Sequence, residues 1–359
     1  FGSRELAAMV DYMAWPGDIT AAPGALRKPP IKGSTTPDCC PALPPGFREY
    51  RTPENYPEDG KSHIFCGGRC MTGPLLSNNL PLMTLIYATC MGYCFLVIMP
   101  RFLELYPGLH STALCVGCIA CGAVGFTSML ITGLTDPGVI PRGDPSFRER
   151  IEKNDPRGLD GKGDPNPVWI MVNNVVLKQK WCNTCNMYRP PRASHCKLCN
   201  NCVLRHDHHC NVLGNCIGAR NHRYFIVAVG FTAIGMIQAD VIVGHYLLAL
   251  LEEKGTIQAL LREMTVPVAY GGFVLALSTF LSMFTLFHIY LTSNNLTTRE
   301  SLKRVYKYEN PFKGSCLQNF GQLFCRPLGL LVKGEADTHV YHYCPGSPQH
   351  SDASMGGLD

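Results

Sequence analysis

Four long apolar runs, Leu80 to Met99, Ser111 to Ile131, Phe225 to Leu251 and Val266 to Leu291, constrain this chain more than anything else in it. Each has about 20 residues or more and almost no charge, the length that crosses a hydrocarbon core of about 30 Å as a helix. The connection from Arg101 to His110 is short, so the first two runs form a hairpin. The loop EEKGTIQALLREMT joins the second pair. Composition agrees: 46% of the 359 residues are hydrophobic and 16% charged, against about 25% charged in soluble domains. The net charge of +5 comes without a basic run interleaved with aromatics, so there is no nucleic-acid footprint.

Lysine and arginine set the orientation. They crowd the stretch between the second and third runs, as at Arg142, Lys153, Lys178, Arg189, Arg205 and Arg223, and return after the fourth at Arg299, Lys303, Arg304 and Lys307. The two short connections carry far fewer. Both termini and the segment from 136 to 223 are therefore expected in the cytosol. The predicted divisions are a disordered cytosolic N-terminal tail (1-62), a pre-membrane lip with transmembrane helices 1-2 (63-135) and a cysteine-rich domain (136-223). Transmembrane helices 3-4 (224-292), a post-membrane segment (293-330) and a C-terminal tail (331-359) follow. Within the third domain, Asp136-Pro137-Gly138 reads as a turn. Val168 to Trp181, with Asn173-Asn174 between β-prone runs, reads as a hairpin.

Nineteen cysteines suggest a disulfide scaffold until their spacing is read. Cys182/Cys185 and Cys196/Cys199 are CxxC pairs, and Cys202, Cys216, His195 and one of His208 or His209 complete eight ligands, enough for two closed tetrahedral zinc sites. Such spacing favours metal in a reducing compartment. Adjacent side chains of an extended strand point oppositely, which puts His195 with Cys182 and Cys185 and leaves Cys196 with Cys199. The spacing leaves open how Cys202, His209 and Cys216 divide.

One cysteine is left over. By the same alternation His208 lies on the side of Cys210, while His209 points away toward metal. His208 is then placed to act as a general base for a Cys210 nucleophile, and Asp207 to hold the imidazole tautomer. Cys210 precedes the third run by about 15 residues, at the height of the bilayer surface. A long acyl thioester would present its reactive group there. Arg220, His222 and Arg223 read as interfacial anchors.

These residues carry a resemblance. Asp207-His208-His209-Cys210, preceded by RPPRASHC and followed by GNCIGARNHRYF, resembles the cysteine-rich domain of the DHHC protein S-acyltransferases (palmitoyltransferases). Asp136-Pro137-Gly138, the TTxE motif Thr297 to Glu300, and Asn310-Pro311-Phe312 with Gly314 and Asn319 match further family motifs. The GGR segment at Gly67 to Arg69 and TDPGVIPR resemble the branch that acylates Ras-type GTPases with a small accessory subunit. The resemblance implies a membrane all-α fold: four transmembrane helices, with a zinc-binding cysteine-rich domain of short β-hairpins between the second and third. It implies two structural zinc sites, Cys182, Cys185, His195 and Cys202 in one and Cys196, Cys199, His209 and Cys216 in the other. It further implies acyl-CoA, usually palmitoyl-CoA, as cosubstrate, a thioester intermediate on Cys210, Thr298 approaching Asp207, and an acyl chain held among the membrane helices. Cysteine thiols of membrane-associated proteins would accept the acyl group, at the ER or Golgi. The family typically continues with Pro and Trp where this chain has Asn211 and Val212, which bears on chain selectivity.

A zinc scaffold with an idle Cys210 is the alternative. Asp240 and His245 in the third run read as groups near its far end, with Asp240 reaching interfacial water, and Tyr270 and Tyr290 read as interface anchors. Cys316 and Cys325 read as membrane-proximal thiols, acylated or packed.

Overall fold

A computed structural model describes residues 60–66, 70–74, 79–143, 149, 153, 165, 166, 168–173, 175–306 and 309–325. The C-terminal tail, Gly67 to Arg69, and all but the last three residues of the N-terminal tail lie outside the described residues. Among the described residues, four helices are long and apolar enough to span a bilayer: α1 (Leu80–Leu105), α2 (Leu109–Leu134), α3 (His222–Lys254) and α5 (Thr265–Ser293). The chain is a multi-pass membrane protein. Each helix outruns its apolar stretch by several residues, because backbone hydrogen bonding continues where the side chains reach polar surroundings.

Helix α3 packs between α2 and α5. Small residues permit the close approach to α2: a Cβ on Gly125 would stand 2.5 Å from Thr232 Oγ1, and one on Gly235 would stand 3.3 Å from Cys121 Cβ. Helix α1 widens at Cys94–Ile98 into a π-turn, where the Met99 N–H donates five residues back to the Cys94 carbonyl. Pro100, which follows directly, has no N–H to continue the regular ladder. The 252–265 connection is more ordered than a plain loop. Gly255 closes α3 at φ +74, and Thr256 Oγ1 accepts from the Ala259 N–H at 3.2 Å to open the short helix α4 (Ile257–Glu263).

Between α2 and α3 the chain forms antiparallel hairpins: β3 (Val168–Val172) with β4 (Val175–Gln179), β5 (Trp181–Cys182) with β6 (Met187–Tyr188), β7 (Ser194–Cys196) with β8 (Asn201–Val203), and β9 (His208–Cys210) with β10 (Asn215–Ile217). The first turns at Asn173, at φ +47, just past the pairing of Val172 with Val175. The next two turn through Cys-x-x-Cys-Asn, where Asn186 and Asn200 sit at φ +49 and +53, a left-handed conformation that asparagine tolerates. Upstream, β1 (His63–Phe65) pairs with β2 (Cys70–Thr72). That hairpin rests on the domain through Lys61 N–H to the Cys199 carbonyl at 3.0 Å and Gly73 N–H to the Gly214 carbonyl at 2.9 Å.

Asparagine side chains fasten this domain to the membrane helices. A helix leaves its last carbonyls without partners. Asn215 Nδ2 donates to the carbonyls of Gly133 and Thr135 at 3.0 and 3.1 Å, and Asn221 Nδ2 donates to that of Thr132 at 3.1 Å. Asp136 turns the chain out of α2 by accepting from the Gly138 and Val139 amides at 2.8 and 2.9 Å, and pairs with Arg220.

The far end is tied by charge. After α5, Thr297 caps α6 (Thr298–Leu302) in a reciprocal box with Glu300. Buried Glu300 takes both Arg192 Nε and Nη2 at 2.8 and 2.7 Å, and Arg192 also donates to Asn295 Oδ1 at 2.9 Å. Asn310 and Asn319 donate to the carbonyls of Asn294 and Ser293, seating α7 (Cys316–Phe324) below the α5 exit. Burial alone would raise the Glu300 carboxyl, but Arg192 outweighs it and holds it below its ordinary value.

Arg192→Ala leaves that carboxylate buried without its partner, so a loss of about 3–5 kcal/mol is expected, read as a lowered thermal midpoint in detergent. The folded-state pKa is depressed, so the pair's contribution is full above the ordinary carboxylate pKa and fades as pH falls through the lower folded value. Wild type and variant should converge on acidification.

Candidate functional site

The hairpins sort their ligands by strand alternation. On β7, His195 faces its cross-strand partner Cys202 while Cys196 faces the other way. His195 Nδ1 lies 3.6, 3.5 and 3.8 Å from the sulfurs of Cys182, Cys185 and Cys202. His209 Nδ1 lies 3.7, 3.3 and 3.6 Å from those of Cys196, Cys199 and Cys216. Tetrahedral zinc with ordinary Zn–S and Zn–N lengths separates its ligands by about 3.6 Å for sulfur to nitrogen and about 3.8 Å between sulfurs. Cys199 and Cys216 are 3.6 Å apart, so both donor sets fit zinc. The division that the spacing left open is thus visible in the fold: Cys202 joins the first cluster, and His209 and Cys216 join the second.

Strand β9 repeats the device. His209 pairs across the hairpin with Cys216 on the metal side, while His208 and Cys210, opposite Ile217 and Asn215, share the other side. Asp207 is 1% exposed and just precedes the strand. Its Oδ2 accepts from His208 Nδ1 at 2.7 Å, and its Oδ1 accepts from the Thr298 amide at 2.7 Å. Thr298 therefore meets Asp207 through its backbone N–H, while its hydroxyl makes no hydrogen bond. The imidazole presents its Nε2, which has no hydrogen-bond partner, to the Cys210 side.

Electrostatics follow from this order. Burial would raise the Asp207 carboxyl, but the His208 hydrogen bond and the surrounding imidazoles keep it well below the carboxylate range. Burial would likewise discharge His208, but Asp207 and Cys210 outweigh it and push the imidazole up to about 10. Burial raises the Cys210 thiol, and its interaction with His208 more than offsets that, leaving the thiol below its ordinary value. The arrangement favours a thiolate–imidazolium pair.

Cys210 stands at one end of an apolar cavity of about 320 Å³ among α1, α3 and α5. His208, Val212 and Phe225 share that end, and Cys94, Ala239 and Tyr270 line the other. From Phe225 to Ala239 the cavity runs along α3 for about 21 Å at the helical rise. That exceeds half of the roughly 30 Å hydrocarbon thickness, the depth one leaflet's acyl chain covers.

Several residues differ from their sequence reading. Tyr270 turns inward, donating to the Cys90 carbonyl at 3.0 Å and packing edge-on against Tyr93. His222 is 2% exposed, beside Asp207, because the first turn of α3 folds under the cysteine-rich domain. Arg223 donates to the Phe324 carbonyl and lies over the Tyr224 ring. Asp240 accepts from Ser278 across the α3–α5 interface. Of the two readings of Cys316 and Cys325, acylated or packed, their exposure leaves out only the packed one. The sequence reading also passed over the Arg192–Glu300 tie and His288. An ionisable side chain inside an apolar run was the available signal for the latter.

Comparison with known proteins points one way. The family model described as DHHC palmitoyltransferase matches residues 176–305. Probable protein S-acyltransferase 1 of Arabidopsis thaliana is 32% identical over 277 residues, covering 74% of this chain and 79% of the relative. Probable protein S-acyltransferase 5 of the same plant is 32% identical over 74% of this chain and 57% of its own length. Palmitoyltransferase ZDHHC18-A of Danio rerio is 33% identical over 85% of this chain and 66% of its own. The chain thus spans between about half and four fifths of the length of these curated relatives.

The electrostatics are checkable without turnover. In wild type, alkylation of Cys210 should show a pH midpoint below the ordinary thiol value. In His208→Gln burial is opposed only by the Leu213 and Val212 amides, and the midpoint should move up from the wild-type value.

Proposed function

The chain belongs to the DHHC palmitoyltransferase family, and from that premise we propose that it is a membrane protein S-acyltransferase with Cys210 as nucleophile. The observation that carries this reading is a single sulfur on the face of β9 away from the metal ligands, beside an imidazole held by a buried carboxylate and open to an acyl-sized cavity. In the first step the Cys210 thiolate attacks the thioester carbonyl of a long-chain acyl-CoA. The bond to the CoA sulfur breaks, and His208 returns the thiol proton to the departing CoA thiolate. In the second, a substrate cysteine thiol gives its proton to His208 and attacks the acyl-enzyme, releasing Cys210. Asp207 fixes the His208 tautomer and supports its cationic form, and the Thr298 amide fixes Asp207.

Cys182, Cys185, His195 and Cys202 hold one zinc and Cys196, Cys199, His209 and Cys216 the other; the metal supplies structural cross-links between hairpins too short to be stable alone. The palmitoyl chain lies in the cavity with Val212 near its first carbons. Arg299, partial burial, Lys180 and Arg189 together hold Lys303 below its ordinary value, a crowding of cations that CoA phosphates would relieve. Basic residues in the cysteine-rich domain and after α5 support a cytosolic location for that side. The acceptors are cytosolic cysteines of membrane-associated proteins. The TDPGVIPR segment supports the branch acting on Ras-type GTPases with a small accessory subunit, at the ER or Golgi.

Purified protein incubated with labelled palmitoyl-CoA should gain one hydroxylamine-labile acyl group on Cys210 and contain two zinc ions per chain. Cys210→Ser should abolish labelling and transfer; labelling retained in that variant removes Cys210 from the mechanism. Proline is accepted at the first position of a helix, and the extended Thr297 (φ −93, ψ 157) suits a residue before proline. Thr298→Pro therefore deletes the donor to Asp207 with little strain. It should slow acylation about 10- to 100-fold, the worth of a hydrogen bond to a charged group, while Thr298→Ala stays near wild type.

A further inference from the structure

The second carboxylate oxygen of Asp207 has neighbours that the reaction as described does not use. His222 Nε2 lies 3.9 Å from Oδ1, and one nitrogen of His288, in the middle of the α5 exit, completes a group whose polar atoms lie within 4.8 Å of one another. His222 and His288 are 2% and 1% exposed. All four of their ring nitrogens are buried without a hydrogen-bond partner among the described residues, a condition folded proteins rarely leave unmet. His288 sits in an aromatic box, with ring centroids 4.5 Å from Phe284 and 5.1 Å from Phe225. Packing alone would be served by a phenylalanine there.

Distances decide what joins these groups. At 3.9 Å His222 and Asp207 are beyond a direct hydrogen bond. A tetrahedral metal with nitrogen and oxygen ligands at about 2.0–2.1 Å would draw them to about 3.3 Å, whereas the two Cys/His clusters already show metal-like separations. Partners of one water, each about 2.8 Å from it, stand about 4.6 Å apart when tetrahedral. The measured 3.9 Å exceeds that metal spacing, and the three atoms lie within 4.8 Å of one another, which leaves room for one water among them.

We propose that His222 and His288 are positioning residues for Asp207, holding its Oδ1 side through one shared buried water so that Oδ2 stays aimed at His208. Each neutral imidazole donates one N–H to the water, and the water donates to the carboxylate. The pair brings the first turn of α3 and the last turns of α5 to the carboxylate from the membrane side, while the Thr298 amide approaches from α6. Asp207 thereby keeps one rotamer while His208 passes its proton back and forth. The proposal rests on the reading of Cys210, His208 and Asp207 given above.

Single-turnover acylation of the purified full chain by palmitoyl-CoA tests it, with His288→Phe beside His288→Gln and His222→Leu beside His222→Asn. Phe and Leu keep bulk and lose the donors; Gln and Asn keep a donor and fit the space less well. A positioning role predicts that Phe and Leu lower the rate constant about 10- to 100-fold, with two zinc ions and the half-saturating palmitoyl-CoA concentration unchanged. Gln and Asn should then stay within about threefold of wild type. A packing role predicts the reverse order, and that order, or equal loss in both members of each pair, overturns the proposal. A third zinc in wild type that His288→Phe loses overturns it also, in favour of a metal site. A variant that sheds its zinc is set aside for the pair at the other position. Failure of the underlying reading is separate, since it shows as labelling that survives in Cys210→Ser.

Discussion

Successive side chains of an extended strand face opposite ways, and the chemistry of this protein depends on that constraint at one three-residue strand. His208, His209 and Cys210 are consecutive, yet His209 joins a metal cluster and its neighbours do not. Gripping the middle residue sets the direction of the outer two. With zinc bound, as proposed, the site would need no rigid helix or large sheet beneath it, because a tetrahedral ligand set would fix a short hairpin in both rotation and register. The same logic at β7 sends His195 and Cys196 to different clusters, so the two clusters interleave and the hairpins between them cannot slide independently.

A second dependence is on Asp207. A buried carboxylate is costly unless its lone pairs are taken, and here the partners come from separate parts of the chain: His208 next to it and the Thr298 amide from the segment after α5. The same segment is held by Glu300 to Arg192, and Asn295 accepts from both Arg192 and Arg205 of the cysteine-rich domain. Asn295 in turn donates to the Phe312 carbonyl and Gln322. One polar network therefore runs from the helix exit through the cysteine-rich domain to the C-terminal motif. Its acceptors Asp207, Asn295 and Glu300 are buried, and each takes hydrogen bonds from other parts of the chain, so the fold that places Asp207 is the fold that makes ionising it tolerable.

What was legible in the sequence follows the range of the interactions involved. Membrane helices are written in local composition, so all four appear near their apolar runs. CxxC spacing and strand alternation are also local, and they separate His195 from Cys196 and Cys210 from His209 without coordinates. The division of Cys202, His209 and Cys216 was not readable from spacing, because it depends on how two hairpins pack. His222 and Tyr270 look interfacial by position, yet the first folds under the domain and the second turns into the cavity, since helix rotation is decided by neighbours. The π-turn at Cys94–Ile98 is signalled only by Pro100, and proline more often marks a kink or an end.

The cavity raises a question of energy that its apolar lining does not answer. Taking an acyl chain out of water gains about 0.8 kcal/mol per CH₂, but a chain already in the bilayer has gained it. Moving the chain from lipid into a pocket lined by side chains such as Met83, Leu277 and Phe284 adds little transfer energy, so hydrophobicity alone cannot choose the substrate. What the cavity contributes is position. An acyl chain confined there for about 21 Å would hold its thioester beside Cys210 and convert an encounter of two mobile groups into a step between fixed ones. If an acyl chain occupies the cavity as proposed, shape at its two ends would bear on selectivity, with Tyr270 and Cys94 lining one end and Val212 the other. A valine beside Cys210 would cover less of an acyl chain's first carbons than the family's tryptophan would, so on that reading the residues at the other end, Cys94, Ala239 and Tyr270, would weigh more in how a chain fits.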